Sequence, residues 1–294
     1  MTRSLFIQSV VFGILSGGVY ALLASGLSLY FGVMRIVQIA HPAFLFLGAY
    51  LTYSLHNRFD IDPLLTMPIT VPLFFVTGMA IQRLLLARLR DENAAMMSVL
   101  LTFAIAVVVE GGLSAVYTGS YRSIDVEYAK KAFDWFGVRI PRDRVIGLVV
   151  AGATLMLLFA VLRYSRYGRS LRATMQHPEA ARLVGVETER VRAIGFGIGM
   201  ATAAVGGAVL SIITTFFPSG HWEWIARLMA IIVVGGLGSV GGAAVAAFVL
   251  GIIEAVVQSW LSPVWAGMVF YLFLFVTLIF RPQGFFGGRL AQRY

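Results

Sequence analysis

The stretch LFIQSVVFGILSGGVYALLASGLSLYF, Leu5 to Phe31, runs for 27 residues without a charge. A helix rises about 1.5 Å per residue and the hydrocarbon core of a bilayer is about 30 Å thick, so roughly 20 apolar residues suffice to cross it. Only Arg3 precedes the run, and its length exceeds the apolar core of a secretory leader, so it is expected to persist as a membrane helix. Outward from it, comparable runs bounded by charges or proline recur near 36 to 55, 63 to 82, 94 to 118, 145 to 162 and 191 to 217. The last apolar region, Ile225 to Phe280, is interrupted by GGLGSVGG (Gly235 to Gly242) and by Ser262-Pro263, which predicts two short or broken segments and one full span. The expected fold is an all-α, polytopic membrane bundle of about eight or nine segments with broken helices, a single domain over residues 1 to 294.

Composition agrees. Apolar residues make up 59% of the chain and charged ones 13%, with a mean hydropathy of +0.85, whereas soluble domains carry about a quarter charged residues. A net charge of +9 would suggest nucleic acid in a soluble protein. Here the arginines cluster between apolar runs, as expected of membrane loops, so nucleic-acid binding is set aside and membrane lipid is the expected surround. The absence of cysteine excludes disulfides, thiolate metal sites and cysteine nucleophiles.

Loop parity sets an orientation. Arg83, Arg88 and Arg90 fall on the side of the 163 to 192 segment, which alone carries seven arginines. The opposite side holds Arg58 and the 119 to 144 loop, whose six basic residues are mixed with four acidic ones. With Arg281, Arg289 and Arg293 at the C-terminus, the 163 to 191 loop and the C-terminus are expected in the cytoplasm, and loop 119 to 144 outside. Three segments carry small residues every fourth position: Gly13, Gly17, Ala21 and Ser25; Gly195, Gly199, Ala203, Gly207 and Ser211; Ala243, Ala247, Gly251 and Ala255. Apolar burial drives little helix association in lipid, so such stripes mark close packing, in the bundle or at a subunit interface.

Catalytic motifs are lacking. His41, His56, His177 and His221 are scattered without metal-ligand spacing, and neither a G-x-S-x-G elbow nor a G-x-x-x-x-G-K-[ST] phosphate loop occurs. The chain is therefore not expected to be an enzyme or to bind a cofactor, and any use of ATP falls to a partner. In YGRSLRATMQHPEAARLVGVETERV (Tyr167 to Val191), Pro178 and Glu179 suit a helix start and Gly185 a helix stop. The result is a helix of about seven residues, too short to persist alone. Either it packs on the protein's own loops, or Ala180, Leu183 and Val184 offer an apolar knob to a cytoplasmic partner.

This loop, with Gly168-Arg169, Arg172-Ala173, Ala181, Leu183 and Gly185 followed by Val191, resembles the coupling loop of branched-chain amino acid ABC transporter permeases. Also similar to the family are VYALLASGLSLYFGVMRIVQIAHPAFLFLGAY (Val19 to Tyr50), VVGGLGSVGGAAVAAFVLGIIEA (Val233 to Ala255) and RPQGFFG (Arg281 to Gly287), in the family's order over most of the chain. The resemblance implies a multi-pass permease of the bacterial cytoplasmic (inner) membrane. Its implied partners are a paralogous permease, two ATPase subunits that use the ATP, and a periplasmic or other extracytoplasmic binding protein. It makes Arg172, Glu179, Ala180, Ala181, Leu183, Val184 and Gly185 the candidate coupling residues. The family's second segment usually reads asparagine-phenylalanine-alanine-histidine-glycine, often followed by an acid; here it reads Gln38-Ile39-Ala40-His41-Pro42-Ala43, with no acid and with proline for glycine. Branched-chain amino acids, other amino acids, urea or short amides, and small carboxylates all stay open as solutes.

Pro42 disfavours helical geometry at His41 and restarts a helix, so 42 to 55 reads as a half-helix whose positive end faces the interior. Broken-helix ends of this kind hold substrate carboxylates in transporters. The glycine run, with Gly235, Gly236, Gly238, Ser239 and Gly241, is a second irregular stretch, which either lines a cavity or makes a tight turn. With Gln38, His41, Pro42 and Glu110 these residues are the substrate-path candidates, although a structural histidine and a packing hydrogen bond explain His41 and Glu110 as well. Glu254 is the other acid within an apolar run. An ion-coupled secondary transporter of small polar solutes is the alternative reading; it needs paired intramembrane charges, and the two acids lie far apart in sequence.

Overall fold

A computed structural model describes residues 3–34, 38–89, 94–135 and 138–287. Its helices are α1 (Arg3–Met34), α2 (His41–Phe59), α3 (Met67–Leu84), α4 (Ala94–Tyr117), the single turn α5 (Glu127–Lys130), α6 (Arg142–Tyr164), α7 (Arg166–Gln176), α8 (Pro178–Leu183), α9 (Thr188–Ile213), α10 (His221–Gly235), α11 (Val240–Trp260) and α12 (Pro263–Phe280). Seven segments among the described residues are long and apolar enough to span a bilayer; these contain α1, α3, α4, α6, α9, α11 and α12. The shorter or more polar α2 and α10 pack among them. The chain is a polytopic helical membrane protein.

Burial separates the helices into two layers. α1 and α9 are mostly buried, whereas only a small share of α3, α4, α6 and α12 is buried, as expected where lipid or another subunit supplies the contact. The stripes of small residues explain the inner layer. Gly13 and Gly17 of α1 face Gly251 and Ala247 of α11 so closely that a Cβ on Gly13 would lie 2.5 Å from Ile252 Cα, and one on Gly251 would lie 2.8 Å from Gly17 Cα. On α9, a Cβ on Gly207 would lie 2.7 Å from Ala49 N of α2, and one on Gly199 would strike the Tyr30 ring of α1. The stripes are thus used inside this chain.

Several segments differ from the sequence expectation. The region after residue 220 holds one short helix and two full ones, because Ser262-Pro263 is the turn between α11 and α12, where Ser262 is extended and Pro263 occupies the first helical turn. α9 ends at Ile213, and non-helical backbone over 214–217 and a short 3-10 turn, Pro218–Gly220, lead into α10. The loop after α4 contains two short strands, β1 (Ala132–Trp135) and β2 (Val138–Pro141), paired antiparallel with Ala132 opposite Pro141. It is fastened to the Thr214 to Gly220 turn by reciprocal Arg122–Phe216 backbone hydrogen bonds of 2.8 Å.

The glycine contacts set a stability test. Gly251→Ala forces an extra methyl against the α1 backbone and should lower the detergent-phase unfolding free energy by about 1–3 kcal/mol. At Gly112 of α4 a Cβ meets nothing within 4 Å, so Gly112→Ala should be neutral, or stabilising by at most about 1 kcal/mol through helix propensity. Thermal unfolding of the purified variants checks this; equal shifts would refute the packing assignment.

Candidate functional site

Three places in the bundle gather polar groups. The first is the turn into α2, which starts at His41 with Pro42 in its first turn, so His41 is helical where a half-helix of 42 to 55 was expected to exclude it, and the helix runs on to Phe59. Gln38, His41 and Pro42 are all buried. His41 Nε2 donates to the Leu23 carbonyl at 3.0 Å, and its ring lies edge-on to Tyr30 at 5.5 Å. His41 Nδ1, both side-chain polar atoms of Gln38 and the Tyr30 hydroxyl have no hydrogen-bond partner among the described residues. Such groups are costly in an apolar interior.

The second place joins α4 to α10. Trp222 Nε1 donates to Glu110 Oε2 at 2.9 Å, and His221 Nε2 lies 4.0 Å from the same oxygen. The Glu110 side chain is 24% exposed, on a helix whose neighbouring Gly111 and Gly112 face open space. His221 packs edge-on to Phe46 of α2 at 6.2 Å, which brings Glu110 into the α2 neighbourhood without direct contact to His41.

The third place is a cavity of about 300 Å³ that sequence reasoning assembled only in one member, Glu254. Tyr20 donates to Glu254 Oε2 at 2.7 Å, Arg227 Nη2 pairs with Glu254 Oε1 at 3.5 Å, and Arg227 Nη1 donates to the Tyr20 hydroxyl at 3.4 Å. Glu254 and Arg227 side chains are 13% and 27% exposed. Arg144, in the first turn of α6, donates to Ser16 Oγ at 2.5 Å and lies over the Phe12 ring at 3.9 Å. Thr214, Arg144 and Pro263 at its rim belong to the ends of α9, α6 and α12 away from α7 and α8. The missed signal was Arg227, a cation standing inside the apolar region that also holds Glu254.

The glycine run lies elsewhere. Gly236 and Gly238 turn the chain between α10 and α11 at φ of 100° and 83°, values favouring glycine. A Cβ on Gly238 would sit 2.8 Å from Gly32 Cα, and the RPQGFFG segment caps α10: Phe285 N donates to Val234 O at 2.9 Å and Phe286 N to Gly235 O at 3.2 Å. Since a Cβ on Gly32 would also meet Met175 of α7, the run sits at the α7–α8 end.

At that end α7 was not anticipated. Ser165 caps it by accepting from Gly168 N at 2.9 Å, with Leu171 and Thr174 buried and Arg166, Arg169 and Arg172 outward. Arg172 donates to the Leu162 carbonyl and, at 3.4 Å, to the Arg163 carbonyl, so it closes the end of α6. Burial raises the Tyr167 hydroxyl pKa above its ordinary value; that group donates to Val191 O at 3.0 Å. α8 covers Pro178–Leu183 and ends at Gly185 with φ +84°. Glu179 and Ala180 are exposed and Ala181 is buried; Leu183 and Val184 are 89% and 78% exposed.

Residues 9–278 match the family described as branched-chain amino acid transport system / permease component. The chain is 26% identical over 303 residues to the high-affinity branched-chain amino acid transport system permease protein LivH of Salmonella typhimurium, covering 96% of each chain. It is 26% identical to the corresponding permease protein BraD of Pseudomonas aeruginosa, with 96% of each covered, and 22% identical to LivM of Escherichia coli over 90% of this chain and 67% of that one. No solved structure matches the chain.

The charge pair can be tested now. Removing one partner leaves the other charge buried and unpaired, so Arg227→Met should destabilise the protein by about 3–5 kcal/mol. Arg227→Met with Glu254→Leu should cost less than that single change. A double-mutant cycle on detergent-phase unfolding measures this, and additive effects would show that the pair is not energetically coupled.

Proposed function

We propose that this chain, which belongs to the family of branched-chain amino acid transport system permease components, is the membrane subunit of an ATP-driven importer of branched-chain amino acids. It works beside a paralogous permease, with two ATPase subunits on the side of α7 and α8 and a binding protein on the side of the cavity. The seven-arginine segment supports placing α7, α8 and the C-terminus in the cytoplasm, in the inner membrane of a bacterial cell. The ion-coupled alternative has no support in the family.

One observation carries the coupling proposal: a six-residue helix held outside the bundle presents two nearly bare aliphatic side chains, Leu183 and Val184. Such a helix is not stable alone. Here Ala181 and the Arg182–Thr188 hydrogen bond of 2.9 Å anchor one side, leaving the apolar tip for a partner. Arg172 serves this arrangement by tying α7 to the end of α6, and Gly185 by turning the chain back toward α9. Gln38, His41, Pro42 and Glu110 are proposed as the inner route of the solute, supported by the unpartnered polar atoms at Gln38 and His41. The glycine run is proposed as a hinge-like turn at the cytoplasmic end, since it packs on Gly32 and on the C-terminal segment.

Hydrolysis of ATP is assigned to the partners, because the chain has no phosphate-binding loop. The purified chain alone should show no ATPase activity, and hydrolysis by it would contradict this assignment. Leu183→Asp should weaken ATPase retention about tenfold or more, the scale of one lost buried aliphatic side chain. Gly185→Val should do likewise through its left-handed backbone, there being open space around it. Pull-down of the ATPase beside an uptake assay reads both; full retention with normal uptake would make the loop a mere connector.

A further inference from the structure

We propose that Arg144 receives the carboxylate of the transported solute in the cavity beside the Tyr20–Glu254–Arg227 cluster, so that this cavity selects solutes bearing a carboxylate. The inference rests on the permease reading and deepens it by naming the residue that recognises the solute. The cavity, about 300 Å³, lies at the lower end of the roughly 300–1,000 Å³ typical of small-molecule sites. It extends inward along α1 from Phe12 to Tyr20, a depth of about 12 Å at 1.5 Å per residue.

Charge balance singles out Arg144. Two cations and one anion line the cavity, and Arg227 is offset by Glu254 at 3.5 Å. Arg144 donates to the neutral Ser16 hydroxyl and lies over the Phe12 ring, with the Asp143 and Glu254 carboxylates near enough to act on it electrostatically. Its chain neighbour Asp143 does not line the cavity. The charged side chains that line the cavity therefore sum to one positive charge, with Arg144 in the first turn of α6 placed to meet an entering anion. One Nη1–H is used on Ser16; a guanidinium has five N–H donors in a planar fork, which matches a carboxylate with two parallel bonds.

The opposite wall suits the rest of an amino acid. Glu254 accepts from Tyr20 and pairs with Arg227, and a carboxylate has about four lone-pair sites. Acceptor capacity thus remains for an ammonium group. Leu210 and Ile213 supply an apolar surface for an aliphatic side chain.

A phosphate, free or on a lipid headgroup, shares the anion chemistry, so the test separates the sources. The complete permease–ATPase complex is placed in phosphatidylcholine nanodiscs without the binding protein, and saturable binding of radiolabelled leucine is measured. We expect competition by leucine and by 4-methylpentanoate, which keeps the carboxylate and lacks the ammonium. Leucinamide, which keeps the ammonium and lacks the carboxylate, should compete about tenfold or more weakly, the scale of a lost charge-assisted bond pair. Arg144→Gln should weaken leucine binding by a similar factor, and Arg144→Lys by less. Should Arg144→Gln fail to assemble, the competition series on the unaltered complex decides. Leucinamide competing as well as leucine, wild-type binding in both variants, no saturable binding, or displacement by inorganic phosphate or phosphatidylglycerol in place of 4-methylpentanoate would each overturn the inference. ATP-driven leucine uptake by the unaltered complex with its binding protein is measured alongside. Its absence would sink the permease reading and this inference with it, whereas uptake together with any of the outcomes just named sinks this inference alone.

Discussion

Backbone-to-backbone contact between α1 and α11 holds the rest of the molecule in register. Lipid is as apolar as leucine, so helices gain little by hiding apolar side chains and gain most where small residues let main chains approach. Gly13, Gly17 and Gly251 permit that approach, and any Cβ there would strike the facing backbone. With the two helices locked, Tyr20 on α1 stands beside Glu254 on α11, and both face Arg227 of α10. At the other end of α1, Gly32 meets Gly238, so the α10–α11 turn and α7 take their places from the same helix. One helix thus connects the cavity with the segment that carries α8.

Charges inside the bundle follow from the dielectric. A lone carboxylate or guanidinium within the hydrocarbon region is expensive, so such groups persist where they are paired or where they meet a ligand. Glu254 and Arg227 satisfy the first condition with each other. Glu110 is supported by Trp222 and approached by His221, yet keeps part of its surface exposed on α4. Arg144 donates to the Ser16 hydroxyl and lies over the Phe12 ring at the cavity, at the end of α6. Polar groups at Gln38 and His41 form a separate buried cluster at the start of α2.

Much of this was legible in the sequence because it depends on local rules. Four-residue spacing of glycine and alanine announced the close-packed helices, Pro42 announced the start of α2, and Gly185 the stop after α8. Other features depend on encounters that spacing cannot report. Tyr20 and Glu254 are 234 residues apart, and periodicity gives the face of a helix but not the neighbour it meets. α7 was hidden by its arginines, since only Gly168, Leu171 and Thr174 turn inward along an otherwise charged stretch. The glycine run was ambiguous because a cavity wall and a tight turn both require positive φ or close approach; the RPQGFFG segment, folding back onto α10, resolves it as a turn. The strands β1 and β2 are too short to leave a pattern.

The account stands on the cavity and α8 lying on opposite sides of the membrane. The chain has no cysteine, so single thiols can be introduced without a background. Ser123→Cys in the exposed outer loop and Val184→Cys at the tip of α8 are labelled with a membrane-impermeant maleimide, in intact spheroplasts and in inverted vesicles. The account predicts labelling of the Ser123 variant in spheroplasts only and of the Val184 variant in inverted vesicles only. Labelling of both from one side, or the reversed pattern, would contradict it.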